Sequence, residues 1–289
     1  MKNKTILVTG GAGFIGSNLC ERLVKDNTVV SLDNYTTGRM CNHVEGVKYY
    51  HGSTATGISE TIDRLNVDVV FHLGEYSRVE QSFEDYDTVF HSNTIGTRNV
   101  LEFIKRTGAK LVYAGSSTKF THEHTGYIQS PYAWSKQVNT DLVMRYGEWF
   151  GIDYAITYFY NVYGNREIEE GKYSTLIAKY KKLALNGKPL PVVMPGNQRR
   201  NFTHIDDTVD ALMLIGQYGK GDEYGIGVET SYTVLEIAEM FGGEIEYLSE
   251  RKGNRLTASV VSDKTKDLGW WPKQSLKTHI KEFRSLHNI

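Results

Sequence analysis

Tyr132 and Lys136 form a Tyr-x-x-x-Lys pattern inside a stretch, 132–150, whose apolar spacing predicts one long helix ended by Gly151. Residues four apart lie on one face of a helix, with Cβ atoms about 5–6 Å apart. An ammonium at that distance favours a phenolate over a phenol, and a phenolate can remove the proton of a hydroxyl as a general base. The pair therefore predicts acid–base chemistry. The alternative is a tyrosine and a lysine that share a solvated helix face.

A glycine-rich turn near the start of the chain predicts phosphate binding. It follows a short apolar run, 6–8, and precedes a stretch with helical periodicity, 18–24. A tight turn needs positive φ, a close pyrophosphate needs backbone without Cβ atoms, and a helix N-terminus offers free N–H groups. A glycine-rich turn without a ligand is the alternative, and the flanking strand and helix weaken it. The glycines fit G-x-G-x-x-G with one glycine added before it: Gly10, Gly11, Gly13 and Gly16.

Asp33 is the acidic residue that such a turn requires downstream. It ends the second apolar run, 29–32, and lies 17 residues after Gly16. A carboxylate there accepts hydrogen bonds from the adenosine ribose and repels a 2′-phosphate, which predicts NAD rather than NADP. The alternative is an aspartate that only starts a turn. Arg39 could meet a 2′-phosphate, but we interpret it as a loop cation.

Alternating strand and helix patterns surround these residues through the first half of the chain. Repeated βα units predict an α/β fold of the Rossmann type, with a doubly wound parallel sheet and a ligand at the carboxyl ends of the strands. The further strands are predicted at 47–50, 67–74, 111–116 and 154–159, and the helices at 58–65, 93–105 and 132–150.

The alternation loosens after Gly164, which predicts a smaller C-terminal α/β lobe that closes over the cofactor domain. We expect an NAD-binding Rossmann domain over 1–164, with 203–226 returning to it, and a substrate lobe over 165–202 and 227–289. Helices are predicted at 174–185, 208–218 and 233–241. The last of these has Thr233 as N-cap and Glu236 at the spacing of a capping box.

The composition excludes several classes of protein. The 289 residues include 33 basic and 34 acidic side chains, so the formal net charge of −1 gives no broad attraction to nucleic acid or membranes. No apolar run approaches the roughly 18 residues of a membrane span, and residues 1–4 lead into the first strand without a secretory signal. Cys20 and Cys41 give no disulfide framework or metal-ligand spacing. We expect a cytoplasmic protein without a metal, a nucleic-acid partner or a membrane partner.

The ordered set of motifs resembles the extended short-chain dehydrogenase/reductase family. Within it, the resemblance is to the NAD-dependent nucleotide-sugar epimerases and dehydratases, most of all enzymes of the UDP-glucose 4-epimerase type. It covers nearly the whole chain. The motifs that carry it are 9–16, Asp33-Asn34, 70–73, Asn93 with Gly96-Thr97, Ser116-Ser117, Tyr132 with Lys136, 160–164, 196–202, 251–254, and 268–270 with Pro272.

The resemblance implies a role for each matching residue. Tyr132 would be the base, Lys136 would bind the nicotinamide ribose and tune Tyr132, and Ser116 would hydrogen-bond the reacting hydroxyl. Asn161, Arg200 and Arg251 would bind the diphosphate or sugar of the substrate, and a forked guanidinium suits a diphosphate. The cofactor contacts would be Gly10, Gly13, Phe14, Ile15, Gly16, Asp33, Asn34, Ser53, Leu73, Gly74, Tyr76, Asn93, Tyr132, Lys136 and Phe159. Each of these substrate residues also has a purely structural alternative. Ser116 could end a strand, Asn161 could form a turn, and Arg200 and Arg251 could be surface charges.

The sequence departs from the family pattern at several positions near the expected site. Ser53 stands where an aspartate usually contacts adenine. Gly74-Glu75 replaces the usual Ala-Ala, which places a charge near the nicotinamide end. Val193 stands where an aromatic residue often lies near the base of the substrate, and Tyr158 replaces a frequent arginine.

The residues after Ser116 bear on which family reaction the chain carries out. Family members share hydride transfer from sugar C4 to NAD. A 4,6-dehydratase would then need an acid and a base after Ser116, and a decarboxylase a glutamate two residues on; the chain has Ser117 and Thr118. A 4-epimerase needs neither, so we predict an NAD-dependent nucleotide-sugar 4-epimerase. The family also implies a homodimer joined by helices 93–105 and 132–150.

Two further hypotheses remain open. A 4-ketosugar reductase would use the same three residues but usually prefers NADPH, and Asp33 argues against it. A non-catalytic dinucleotide sensor would not need Tyr132, Lys136 and Ser116 together.

Overall fold

The structure, a computed structural model, describes residues 1–117, 130–249 and 260–289. The strands in these ranges are β1 Thr5–Thr9, β2 Thr28–Asp33, β3 Lys48–His51, β4 Val69–His72, β5 Lys110–Ser116, β6 Tyr154–Phe159, β7 Val162–Tyr163, β8 Leu190–Val193, β9 Arg199–Asn201, β10 Thr203–His204, β11 Gly221–Ile226, β12 Ser231–Thr233 and β13 Ile245–Leu248. The α-helices are α1 Phe14–Leu23, α2 Glu60–Asp63, α3 Tyr86–Val89, α4 Gly96–Thr107, α5 Pro131–Phe150, α6 Leu176–Leu185, α7 Ile205–Tyr218, α8 Val234–Phe241, α9 Asp263–Lys266 and α10 Leu276–His287.

Seven strands form the central sheet in the order β11-β6-β5-β4-β1-β2-β3, and every pairing in it is parallel. The predicted Rossmann-type sheet is confirmed. The chain winds outward in one direction from β1 to β3 and in the other from β4 to β6. Their shared boundary, between β1 and β4, is where ligands bind in such sheets, outside the carboxyl ends of the strands.

Alternation along the strands divides the apolar core between the two faces of this sheet. Ile6 and Val8 of β1 belong to a cluster that also contains side chains of α1 and α7, whereas Leu7 joins a cluster with side chains of α4 and α5. Successive side chains of a strand point to opposite faces, so a run of apolar residues predicts burial on both. The helices that carry Tyr132 and the glycine turn are thus fixed to the sheet by packing.

Local signals set the ends of the helix that carries Tyr132. The hydroxyl oxygen of Ser130 accepts a hydrogen bond from the Ala133 N–H at 3.1 Å, and Pro131 occupies the first turn, where its missing N–H costs nothing. Gly151 ends the helix at φ 68°. The capping box predicted for Thr233 and Glu236 is present at the start of α8.

Two predicted helices are more irregular or shorter in the structure than expected. The helix expected at 93–105 becomes α-helical only at Gly96, because residues 90–95 form a π-helical turn. The helix expected at 58–65 is a single turn, Glu60–Asp63, and Asn66 soon after it has φ 48°, which a helix cannot continue through. The periodicity of apolar residues marked both segments correctly but not their irregular turns.

A third apolar cluster lies apart from the sheet. Its side chains come mainly from α6, β8, α8 and α10, among them Tyr180, Phe241 and Ile280, and Tyr163 and Phe202 complete it. No helix within the described ranges is long and apolar enough to cross a membrane.

Candidate active site

A cavity of about 970 Å³ runs along the carboxyl ends of the central strands. It extends from the glycine turn, past the ends of β4 and β5, to residues of the C-terminal third such as Phe202 and Val234. Its volume is at the upper end of the range of ligand sites, about 300–1,000 Å³.

The glycine turn brings backbone to the cavity wall without side chains in the way. Gly10 has φ 74°, and a Cβ atom there would lie 2.8 Å from the Cα of Gly74 on the next strand end. A Cβ atom on Gly16 would overlap the carbonyl oxygen of Gly10. Gly13 is the N-cap of α1 and makes no side-chain capping bond, so the first N–H groups of the helix remain available to a phosphate.

Asp33 lies at the far end of β2, buried and on the cavity wall. One carboxylate oxygen accepts the Ala12 N–H at 2.9 Å and the other accepts the Tyr35 N–H at 2.8 Å. These bonds fix the side chain while leaving acceptor positions for ribose hydroxyls. The glycine cradle and this carboxylate fit NAD.

Tyr132 and Ser116 meet where the first turn of α5 passes the end of β5. The Tyr132 hydroxyl donates to Ser116 Oγ at 3.5 Å, a separation that catalytic groups often show before substrate tightens them. The Tyr132 carbonyl accepts the Ser135 hydroxyl at 2.8 Å, and Ser135 in turn accepts from Asn93 at 3.0 Å. The α5 turn that carries Tyr132 is therefore tied to the segment before α4.

Lys136 lies one helical turn beyond Tyr132 and is almost fully buried. Its ammonium forms an ion pair with Glu75 and donates to the Ala114 carbonyl at 2.6 Å. The Glu75 side chain is only 2 % exposed. The charge that the sequence places near the nicotinamide end is thus committed to Lys136.

Most residues predicted to bind the cofactor or substrate line this one cavity. Those on its wall are Gly10, Gly13, Phe14, Ile15, Gly16, Asp33, Asn34, Ser53, Leu73, Gly74, Tyr76, Ser116, Tyr132, Lys136, Phe159, Asn161 and Arg200. Asn161 has φ 34° and donates to the Asn201 carbonyl at 2.9 Å, which places it at the start of the C-terminal part of the wall. Arg251 lies outside the described residues.

Asn93 is the exception among the described cofactor residues, because it is fully buried and does not line the cavity. Its amide oxygen accepts the Tyr76 N–H at 2.7 Å, and its amide nitrogen donates to the Tyr76 carbonyl at 3.1 Å. It thus fixes the backbone of Tyr76, which does reach the cavity. Within the described ranges, no cluster of three or more His, Cys, Asp or Glu side chains could hold a metal ion.

The NAD dependent epimerase/dehydratase family matches residues 6–227 of this chain. The chain belongs to that family. It is an NAD-dependent enzyme, and the predicted family resemblance and cofactor are confirmed.

Individual relatives agree with this assignment. A provisionally named UDP-glucose 4-epimerase of Methanocaldococcus jannaschii is 31% identical over 96% of each chain. The UDP-glucuronic acid decarboxylase 5 of Arabidopsis thaliana is 30% identical over 95% of this chain and 86% of its own length. The UDP-glucose 4-epimerase of Thermotoga maritima, solved with UDP-glucose, superposes with a TM-score of 0.89 at 25% identity over 99% of this chain and all of its own. The Thermus thermophilus enzyme, solved with NAD, gives 0.85 at 26% identity over 98% and 99%.

The structure of this epimerase-family chain also brings residues to the site that sequence analysis missed. The Arg78 guanidinium lines the cavity and donates from Nε and Nη2 to the Tyr173 carbonyl at 3.0 and 2.6 Å. Burial lowers the pKa of this guanidinium. Asp85 accepts hydrogen bonds at 2.8 Å from the hydroxyls of Tyr76 and Tyr173, and at 2.8 Å from Lys172. These contacts join the loop after β4 to the segment before α6, and no local motif could reveal partners so distant in sequence.

Proposed function

We propose that the protein is an NAD-dependent nucleotide-sugar 4-epimerase of the UDP-hexose type. The observation that carries the proposal is that Tyr132, Ser116 and Lys136 meet in the cavity that also holds the glycine turn and Asp33. Relatives named for UDP-sugars support this substrate class.

The reaction follows from the placement of Tyr132 and Ser116. Ser116 hydrogen-bonds the C4 hydroxyl of the sugar while Tyr132 removes its proton. NAD, which the glycine turn and Asp33 would hold, would supply the acceptor and later the donor of the C4 hydride. Ser116 then holds the oxygen of the free 4-keto sugar. After the sugar presents its other face, Tyr132 gives the proton back to the same oxygen. The two residues thus need only one proton between them in each turnover.

The related reactions fit the site less well. Ser117 and Thr118 follow Ser116 and cannot supply the acid of a 4,6-dehydratase or the glutamate expected of a decarboxylase. Asp33 disfavours the NADPH on which a 4-ketosugar reductase would depend. A non-catalytic sensor has no use for a tyrosine hydroxyl directed at Ser116.

The C-terminal part of the chain supplies the substrate side of the site in this proposal. Asn161 and Arg200 line the same cavity as the glycine turn, and Arg251 belongs to the same proposed set. The division is the one expected from sequence: a cofactor domain of 1–164 with 203–226, and a substrate lobe of 165–202 with 227–289. The separate apolar cluster of α6, β8, α8 and α10 supports a second lobe, whereas Trp270 packs into the cluster that contains side chains of α1 and α7.

We also propose a cytoplasmic homodimer joined through α4 and α5. Exposed aromatic side chains lie on α5 at Trp134, Trp149 and Phe150, and the Lys105 ammonium of α4 lies 3.9 Å from the centre of the Phe150 ring. The Trp149 and Phe150 rings are in contact, and exposed apolar patches can mark a partner site. The cysteines Cys20 and Cys41 are unpaired, which suits a reducing compartment.

The test of the reaction is incubation with UDP-, GDP-, CDP- and dTDP-sugars, with products identified by NMR. We expect interconversion of C4 epimers with a UDP-hexose and no net consumption of NAD. A 4-keto-6-deoxy product, a pentose product or a requirement for stoichiometric NADPH would instead identify one of the alternatives.

A further inference from the structure

Glu75 accepts four hydrogen bonds in the buried wall of the site, each from a different side chain. Lys136 donates to Oε2, whereas Thr97, Asn139 and Tyr113 donate to Oε1, at 2.8, 2.9 and 3.2 Å respectively. A carboxylate that only accepts is the ionised form, since a protonated carboxyl would need a partner for its own hydrogen.

The direction of the hydrogen bond between Thr97 and Glu75 follows from a chain of hydrogen bonds that begins at Thr9. The Leu73 and Gly74 N–H groups donate to Thr9 Oγ1 at 3.1 and 3.0 Å, so the Thr9 hydrogen points to His72 Nδ1, 2.7 Å away. Burial lowers the pKa of His72 to about 4, so the ring is neutral and carries its hydrogen on Nε2. That hydrogen goes to Thr97 Oγ1 at 3.1 Å, which leaves the Thr97 hydrogen for Glu75.

Lys136 consequently has only one ammonium hydrogen available for a further partner. Of its three N–H groups, one is committed to Glu75 and one to the Ala114 carbonyl. Its positive charge is compensated at once by the adjacent carboxylate. Lys136 can give one further hydrogen bond to a ligand, and the adjacent Glu75 carboxylate opposes the effect of its charge on nearby groups.

We propose that Glu75 is a positioning residue of this site, which fixes the Lys136 ammonium and cancels its charge so that the ionisation of Tyr132 depends on the positive charge of oxidised NAD. This inference rests on the proposed function. Its consequence is a base that becomes active when the cofactor is ready to accept a hydride, and not in the complex with the reduced cofactor.

The other titratable groups around Glu75 do not change this balance. Tyr113 on β5 is a neutral donor, because burial and then Glu75 raise its pKa well above the ordinary value. His72 on β4 is neutral, as shown above, and Asn139 on α5 carries no charge. Arg78, in the loop after β4, also interacts with Tyr132, but its charge is the same with either form of the cofactor and so cannot distinguish NAD from NADH.

The test is the proton released when NAD binds, measured by titration calorimetry in two buffers of different ionisation enthalpy between about pH 6 and pH 9, a span that brackets the usual working range of such a base. The proteins are wild type, Tyr132→Phe, Glu75→Gln and Asp207→Asn. Asp207 is a matched control, because it is also a buried carboxylate but accepts the backbone N–H groups of Lys273 and Gln274 and does not line the cavity.

In wild type we expect release of a proton with NAD, but not with NADH, that Tyr132→Phe abolishes. In Glu75→Gln the midpoint of this release moves to lower pH by about one unit or more, as expected when a nearby negative charge is removed. The acidic side of the pH profile of turnover moves by the same amount. On that side, turnover relative to its own maximum is therefore about tenfold higher in Glu75→Gln than in wild type at the same pH. Asp207→Asn lowers the melting temperature and leaves the midpoint unchanged.

An unmoved midpoint in folded Glu75→Gln would overturn the inference and leave Glu75 a structural partner of Lys136. If Glu75→Gln does not fold, Glu75→Ala is measured in the same way. If Glu75→Ala does not fold either, the test is made on wild type alone. Equal proton release on binding NAD and NADH then contradicts the inference. Epimerisation with an unmoved midpoint refutes only the role of Glu75, whereas a moved midpoint without epimerisation refutes only the proposed function.

Discussion

The two ends of the cavity are built in different ways. At the end near Asp33, the wall is backbone: a glycine turn, the free N-terminus of α1 and one carboxylate held by two N–H groups. At the end near Tyr132, the wall is a network of side chains from β4, α4, β5 and α5 centred on Glu75. A backbone site depends on short-range spacing, whereas a side-chain network depends on partners brought together only by the fold.

The largest effect should come from the side-chain end. Tyr132→Phe removes the proposed base and one hydroxyl, so turnover should fall by about 10²–10⁴-fold, while NAD binding stays nearly unchanged. Ser116→Ala is the comparison, because it removes one hydrogen bond and no proton acceptor, and it should cost less. Steady-state epimerisation assays check both. A Tyr132→Phe enzyme that keeps more than about a tenth of normal turnover would show that Tyr132 is only a packing residue.

Lys136→Met should separate stability from chemistry at the same end. It leaves the Glu75 carboxylate buried without its counter-charge, and breaking a buried pair from one side typically costs about 3–5 kcal/mol. We expect loss of stability in urea unfolding together with weaker NAD binding. The exposed helix substitution Lys281→Met is the control and should be silent. An unfolding free energy equal to wild type would mean that the Glu75–Lys136 pair contributes nothing.

Asp33→Asn should act on the backbone end alone. The amide keeps the size of the side chain but no longer repels a 2′-phosphate, and it loses charge-assisted bonds to ribose worth about 1.5–3 kcal/mol. Calorimetry should show NAD binding weakened about tenfold or more and the preference over NADP reduced. Asp26→Asn, at an exposed pair with Lys2 3.6 Å away, should change neither. Tighter binding of NADP than NAD by wild type would contradict the role given to Asp33.

The smallest effect concerns pH and the buried histidine of the network. Burial lowers the pKa of His72 from 6.5 to about 4. Between these two pH values the histidine is protonated in the unfolded chain and neutral in the folded chain. Its contribution to stability is therefore present above about pH 6.5 and is lost as the pH falls toward 4. The slope from one such group is at most about 1.4 kcal/mol per pH unit. Urea unfolding at several pH values should show that the unfolding free energy depends less steeply on pH in His72→Asn than in wild type. The same dependence in both proteins would refute this role of His72.

What could be predicted from the sequence follows the same division. The sheet, the glycine turn and Asp33 are encoded by local runs and spacing, and the sheet has the predicted parallel strands. Tyr132 and Lys136 were found because helical periodicity places them on one face. Glu75 was noticed only as a departure from the family, since its partners Thr97, Tyr113 and Asn139 lie 22, 38 and 64 residues away. The contact of Arg78 with Tyr173 spans 95 residues and left no local signal.

In the proposed reaction, one hydride leaves C4 of the sugar and returns to the same carbon without passing through water. The direct measurement is epimerisation in D₂O of the nucleotide sugar that the substrate panel identifies, followed by proton NMR. Because a hydride held on the nicotinamide does not exchange with water, whereas the proton on Tyr132 does, the account predicts the C4 epimer with its C–H hydrogens fully retained. Deuterium at C4, or at C3 or C5 of the product, would contradict it.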